Sequence, residues 1–269
     1  MDKSAYYMSN NQVVHIARTI SALARKCIFQ LLSVGPLPNH IAFIMDGNRR
    51  YAKKHNLEEG SGHNAGFYAL MYMLQYCYEF GLKYVTVYAF SIDNFKRRPE
   101  EVKYVMELMQ EKIQGLIEDE SMVNRYGVRV YFVGNLNLLP KPLRLAAERA
   151  MEATAGNSRA VLSICLAYTS TDEIVHAVQE ACETNQMNGE IRLTDVERHM
   201  YMAAAPDPDI VIRTAGETRL SNFLLWQSSN SYLYSPSILW PEIGFRHLFC
   251  GIFNFQRNVS YLQMEKKTN

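Results

Sequence analysis

Beyond Gly35-Pro36-Leu37-Pro38, which breaks any helix entering it, short apolar runs alternate with helical patterns towards the C-terminus. The runs near 41–45, 84–90, 128–133, 160–167, 209–213 and 231–234 read as strands. Helical patterns fill 65–80, 99–119, 140–154, 171–183 and 219–228. Strands that alternate with helices pair through right-handed crossovers, which leaves helices on both faces of the sheet. The expected fold class is therefore α/β: a single domain, 35–269, with a central, mostly parallel six-stranded sheet flanked by helices. At 269 residues and 48% hydrophobic content, the chain can cover such a sheet without disulfides or structural metals. The polar stretch 183–190 reads as an exposed loop.

Residues 1–34 stand apart as a helical segment. Val13, Ala17, Ile20, Leu23, Ala24, Cys27, Ile28 and Leu31 fall on one helical stripe, interrupted by Arg18, Arg25 and Lys26. Such a helix can pack on its own domain or on a partner; equally, its apolar face and basic neighbours suit the interface of an anionic membrane. No stretch approaches the roughly 20 apolar residues of a membrane span, and no cleaved signal is legible. The five cysteines are scattered, without C-x-x-C spacing, so neither a disulfide framework nor a zinc site is indicated and a reducing compartment is expected. With 28 Lys plus Arg against 27 Asp plus Glu, the chain lacks the basic excess of a nucleic-acid binder.

Arginines are nonetheless clustered, and at strand ends. Ile44-Met45-Asp46-Gly47-Asn48-Arg49-Arg50 follows the first strand, and Arg213-Thr214-Ala215-Gly216-Glu217-Thr218-Arg219-Leu220-Ser221 follows the fifth. In open α/β sheets ligands bind at the carboxyl ends of strands, so the two segments suit two anionic groups held at once. Gly47 allows close backbone approach, while Asn48, Arg49 and Arg50 open a helix whose donors suit a phosphate. Asp46 would repel that phosphate unless a divalent cation lay between, which makes it a candidate magnesium ligand whose carboxylate serves the metal rather than the core. A capping role is the alternative. A phosphatase with Asp46 as nucleophile would want a second acid nearby, and position 48 is Asn. The chain has no G-x-x-x-x-G-K-[ST], G-x-G-x-x-G or G-x-S-x-G. His63, in Gly60-Ser61-Gly62-His63, can reach the same phosphate or shape a turn. Ser91-Ile92-Asp93-Asn94-Phe95-Lys96-Arg97, after the second strand, can orient a reacting group or simply turn the chain.

Together these segments resemble the cis-prenyltransferases, the Z-type prenyl diphosphate synthases, from about Gly35 to Gln256. The likeness rests on His40 through Ala52, on Gly62-His63, on Tyr88-Ala89-Phe90-Ser91 with Asn94, on Arg213-Thr214-Ala215-Gly216-Glu217 and on Leu220 through Gln227. It is nearest to eukaryotic dehydrodolichyl diphosphate synthase subunits and plant rubber-type enzymes. The resemblance implies the family's butterfly fold and addition of isopentenyl diphosphate, in cis, to an allylic primer such as farnesyl diphosphate. It implies that Asp46 binds Mg2+ and that Asn94 is a catalytic residue assisting proton removal. Gly47, Asn48, Arg49, Arg50, Tyr51, His63, Ser91, Phe95 and Arg97 would hold the allylic diphosphate, and Arg213, Arg219 and Ser221 the isopentenyl diphosphate. An apolar tunnel lined from 67–80, 84–90 and 101–117 would take the growing chain.

Four departures qualify that pattern. Glu59 stands where several relatives carry an arginine. Tyr232 replaces the metal-binding Glu of bacterial homodimers. Ala215 replaces a Gly or Ser, a change expected to be tolerated. The chain also finishes without the Arg-x-Gly that completes the isopentenyl site across a dimer. It thus resembles the catalytic half of a heteromer, with a membrane-anchored partner of the Nogo-B-receptor type, at the cytosolic face of the endoplasmic reticulum or in the cytosol. A non-catalytic binding subunit is the rival reading; such a chain would be expected to have lost Asp46, Asn94 or the Arg213/Arg219 pair.

Overall fold

The computed structural model describes residue 19 and residues 22–58, 60–118, 121–184 and 190–268, with side chains described as far as residue 262. Two compact units separate, Met1–Leu37 and Pro38–Asn269. In the first, 22–32 form helix α1, carrying Leu23, Ala24, Cys27, Ile28 and Leu31 of the predicted stripe. Val13, Ala17 and Ile20 lie outside the described residues, as does Glu59.

The second unit runs β1 (His40–Ile44), α2 (Asn48–Lys54), α3 (Ser61–Phe80), β2 (Tyr84–Ser91), α4 (Pro99–Gly115), α5 (Met122–Tyr126), β3 (Val128–Val133), α6 (Lys141–Ala153), β4 (Ala160–Tyr168), α7 (Ser170–Thr184), α8 (Leu193–Arg198), β5 (Ile210–Arg213), β6 (Tyr232–Tyr234) and α9 (Phe245–Thr268). The six strands lie in the order β3-β4-β2-β1-β5-β6, and every neighbouring pair is parallel. The expectation of a mostly parallel sheet thus becomes a wholly parallel one. After β1 the chain winds to one side through β2; β5 and β6 fill the other. The reversal between β1 and β5 is where an open parallel sheet forms its ligand crevice.

Burial explains why the strands were legible. All five residues of β1 are buried, because helices cover both faces, and such strands read as continuous apolar runs. The one polar member, His40, is accommodated by two hydrogen-bond partners, the Pro206 carbonyl at 2.6 Å from Nδ1 and Thr86 Oγ1 at 2.8 Å from Nε2. Burial pushes its pKa down to about 4, so the ring is neutral. On one face Ala42 and Ile44 join Tyr168, Met202, Phe223 and Leu224 in a core cluster. Phe43, of the alternate set, sits edge-on to Trp240, whose Nε1 donates to the Gly66 carbonyl of α3 at 2.8 Å.

The predicted helix at 219–228 is absent. Ser221, Asn222 and Leu224 adopt left-handed backbone, with φ of 51°, 60° and 46°, and the segment is a run of turns. No right-handed helix can pass through three such residues. Conversely, α9 was not anticipated, although Leu248, Ile252 and Phe255, all buried, keep the i, i+4, i+7 spacing of a core-facing helix. Among the described residues no helix is long and apolar enough to cross a membrane.

Candidate active site

Parallel register decides which loops meet. Ile44 lies beside Arg213 on one side and Tyr88 on the other, so the chain leaves β1, β2 and β5 at one end of the sheet. β2 also slips register against β4 between Tyr88 and Ser91, a local irregularity of the kind that re-aims side chains beside functional sites. The resulting cavity, about 610 Å3, is lined by Asp46, Gly47, Asn48, Arg49, Arg50, His63, Ser91, Asn94, Arg97, Arg213, Arg219 and Ser221. Two predicted residues are not in its wall. Tyr51 packs on His55 at 4.4 Å between ring centroids, and Phe95 packs on Phe90 at 4.9 Å. Both lie beside the loops of the site without lining the cavity.

Asp46 sits between two guanidinium groups. Arg213 donates to Oδ2 at 2.8 Å and Arg50 to Oδ1 at 3.2 Å. Burial raises its pKa, but the two arginines together outweigh burial and hold it below the usual carboxylate range, so the group is ionised. Thr214, fully buried, fixes the backbone here: its hydroxyl donates to the Asp46 carbonyl at 2.6 Å and accepts from the Asp46 N–H at 3.0 Å. Gly47 follows at φ +111°, with Leu239 packed so close that an added Cβ would lie 2.9 Å from its Cδ2. Only glycine fits that turn.

Arg213 is the hub of the second segment. Buried, it spends one nitrogen on the Arg219 carbonyl at 2.6 Å and Ser221 Oγ at 2.7 Å, and the other on Asp46. Arg219 is exposed and pairs with Glu217, which also lies 3.5 Å from Arg50. On the opposite wall, Glu101 holds Arg97 at 2.9 Å and Arg49 at 3.7 Å. Glu101, Glu217, Thr214 and the cavity-lining Asp93, Tyr88 and Asn222 went unassigned in the sequence. Glu217 and Thr214 lie inside the quoted Arg-Thr-Ala-Gly-Glu motif and could have been found there; Glu101 sits on α4, far along the chain, and carries no motif. Ala215 adopts φ +71°, so the replacement of glycine keeps the turn at the expense of local strain.

Two buried polar atoms point to a ligand. His63 Nε2 and Asn48 Oδ1 have no hydrogen-bond partner among the described residues. Burial, and then the charges of Arg97 and Arg49, lower the His63 pKa against the opposing effect of Glu101, leaving a neutral ring. Asn94 caps the turn after β2: its Oδ1 accepts from the Ser91 N–H at 3.1 Å, while Ser91 Oγ accepts from the Asp93 N–H at 3.2 Å. With the oxygen engaged, the amide NH2 is the end left to act on a ligand.

The polar cavity adjoins an apolar one between the sheet and α3 and α4. Met45, Asn48, His63, Ala89 and Val105 belong to both walls. Phe67, Leu70, Val87, Leu108 and Ile113 line the apolar part, as expected, and Leu162, Ile164 and Leu166 of β4 add a wall that was not.

The donor set also bears on a metal. Among the described residues no three His, Cys, Asp or Glu side chains converge. A cation at Asp46 would take one carboxylate from the protein and the rest of its ligands from phosphate oxygens and water, which is how magnesium is ordinarily held beside phosphates. The ionised Asp46 facing an arginine-lined cavity fits that mode.

Comparison with known proteins agrees with this geometry. The family model described as putative undecaprenyl diphosphate synthase matches residues 44–262. A dehydrodolichyl diphosphate synthase of Solanum lycopersicum is 61% identical, with 97% of this chain and 98% of that protein covered. A rubber cis-polyprenyltransferase of Hevea brasiliensis is 52% identical over 96% of this chain and 98% of that protein. A dehydrodolichyl diphosphate synthase complex subunit of Homo sapiens is 44% identical over 87% and 71%. The crystal structure of lavandulyl diphosphate synthase from Lavandula x intermedia, in complex with dimethylallyl diphosphate, superposes with a TM-score of 0.76 at 26% identity, covering 82% of this chain and 95% of that one. An all-parallel sheet, an arginine-lined crevice at its switch point and these relatives together place the chain in the undecaprenyl diphosphate synthase-like family of prenyltransferases, the cis-prenyltransferases.

Proposed function

We propose that this chain extends an allylic diphosphate, such as farnesyl diphosphate, by successive cis additions of isopentenyl diphosphate, making a polyprenyl diphosphate of dolichol or rubber type. One observation carries the reading: a cavity built for anions adjoins an apolar one, with Asn48, His63 and Ala89 in both walls. Few metabolites combine a diphosphate with a growing hydrocarbon tail.

In this reading Asn48, Arg49, Arg50, His63 and Arg97 hold the allylic diphosphate, with Gly47 giving it access to the backbone and Ser91 and Asn94 on the facing wall. Ionising the allylic C–O bond builds charge on the departing diphosphate, and donors fixed beforehand stabilise that charge more than the ground state. Asp46 would hold Mg2+, which when bound supplies further positive charge to the diphosphate. Arg219, Ser221 and the Arg213 hub hold the isopentenyl diphosphate, so that its alkene meets the allylic carbon at fixed geometry instead of by encounter. A carboxamide is no base; Asn94 donates from its NH2 and orients the group that takes the proton when the new double bond forms. The tail advances between β2, α3 and α4.

The human relative is named a subunit of a complex, and we extend this to a membrane-anchored homologous partner at the cytosolic face of the endoplasmic reticulum. Leu23 and Leu31 of α1, exposed at 59% and 74%, support docking at a lipid surface. Incorporation of radiolabelled isopentenyl diphosphate onto farnesyl diphosphate with Mg2+, with and without the candidate partner, followed by chain-length analysis, tests the whole. Incorporation that requires both diphosphates supports it; release of inorganic phosphate without chain growth would point to a phosphatase.

A further inference from the structure

The strained turn that carries Ser221 is held from outside the cavity. Its left-handed residues Ser221, Asn222 and Leu224 adopt conformations that persist only where the surroundings over-determine them, and the surroundings here are the first turn of α7. The Ser170 N–H donates to the Asn222 carbonyl at 2.8 Å, and the Thr171 N–H donates to Asn222 Oδ1 at 3.1 Å. Ser170 Oγ accepts from the Leu225 N–H at 2.9 Å. Two residues beyond Thr171, Glu173 is fully buried and paired with no cation among the described residues. Its Oε2 accepts from Gln227 Nε2 at 3.1 Å and from the Tyr168 hydroxyl, and its Oε1 from the Met202 N–H at 2.9 Å. One carboxylate thus ties the end of β4, the segment after α8 and the far end of the turn. The turn in turn sets Ser221 Oγ and the Arg219 carbonyl, which with Asp46 are the acceptors that aim Arg213.

We infer that Glu173 is a positioning residue for the isopentenyl diphosphate site, acting through the Ser221–Gln227 turn. The inference rests on the two-site reading above. A buried carboxyl group is costly unless its oxygens are hydrogen-bonded, and here its acceptor capacity gathers three donors from three segments, which an apolar residue cannot do. The role is selective: the allylic side of the cavity, built on α2, α3 and the Ser91–Arg97 turn, shares none of these bonds.

The test compares KM for each diphosphate, per folded protein, in Glu173→Leu, Glu173→Gln, Thr171→Val and the control Arg219→Ala. Glu173→Leu is expected to raise KM for isopentenyl diphosphate by about tenfold or more, the loss of roughly one charge-assisted hydrogen bond, with KM for farnesyl diphosphate unchanged. Glu173→Gln should recover most of it, because Gln227 Oε1 is buried without a partner among the described residues and can turn to accept from the new amide. Thr171→Val, exposed and isosteric, removes the hydroxyl that accepts from Asn222 Nδ2 at 3.0 Å; it is expected to fold normally and show a smaller shift of the same kind, and it carries the test of the turn if Glu173→Leu does not fold. If Arg219→Ala raises KM for isopentenyl diphosphate while the Thr171 and Glu173 variants move both substrates equally, or move only the melting temperature, the inference is overturned and the site assignment stands. An Arg219→Ala variant with unchanged KM removes the site assignment and the inference with it.

Discussion

Gly66→Ala separates helix physics from site geometry. Gly66 lies inside α3, where alanine is ordinarily the better helix former by about 1 kcal/mol. A Cβ at this position would stand 2.4 Å from Asn48 Oδ1 and 3.1 Å from Asn48 Cγ and Trp240 Cδ1. Real Cβ contacts do not fall below 3.0 Å, so the Asn48 carboxamide must retreat by about 0.6 Å or more, the gap between 2.4 and 3.0 Å. Trp240 cannot yield, since it is fully buried and bonded to the Gly66 carbonyl. Asn48 belongs to the wall shared by the polar and apolar cavities, where displacements of this size cost up to about 100-fold in rate. The expected result is a melting temperature within a few degrees of wild type and kcat/KM for the allylic primer about 10- to 100-fold lower, with KM for isopentenyl diphosphate little changed. Differential scanning fluorimetry and steady-state kinetics with each diphosphate varied in turn measure these quantities. Wild-type kinetics in a folded Gly66→Ala protein would refute the placement of Asn48 on the allylic diphosphate.

Asp46→Ala should abolish elongation, and chelation of divalent ions should silence the wild-type enzyme. It should also destabilise the fold by about 1–3 kcal/mol, contrary to the expectation of a purely metal-serving carboxylate, because buried Arg213 loses its 2.8 Å partner; urea unfolding measures the loss. Since the Asp46 pKa is depressed in the folded state, the stability it contributes is present above its unfolded value, 3.8, and vanishes as pH falls through the lower folded value. The gap between wild type and Asp46→Asn in melting temperature should therefore close in acid. Arg50→Ala should chiefly weaken use of the allylic substrate and Arg219→Ala use of isopentenyl diphosphate, each by about 10- to 100-fold; equal impairment for both substrates in both variants would defeat the two-site assignment. Ala215→Gly relieves a left-handed penalty of about 1–2 kcal/mol against an unfolded-state entropy cost of about 0.5–1 kcal/mol, so unfolding should show a modest gain in stability.

What the sequence by itself determined is the set of elements buried on both sides and the loops that follow them. β1 and β5 are buried along their length and mostly apolar because helices cover both faces, and a parallel sheet places whatever follows such strands at one edge. Asp46 and Arg213 could therefore be assigned to one crevice although 167 residues separate them in the chain. α9 was equally legible in its spacing but lacked a motif to draw attention to it. Other features came only with the tertiary structure. The 219–228 segment has a helical apolar pattern, yet hydrogen bonds donated by Ser170 and Thr171 and accepted by Glu173 outweigh local preference and hold it in left-handed turns. Arg213 reads in the sequence as a phosphate ligand, and the structure adds that its two terminal nitrogens anchor the Arg219 carbonyl, Ser221 and Asp46, while Tyr51 and Phe95, inside the motifs, pack beside the cavity without lining it. Sequence carries local periodicity and composition; which donor meets which acceptor depends on strand register and close packing between segments far apart in the chain, and these exist only once the sheet has formed.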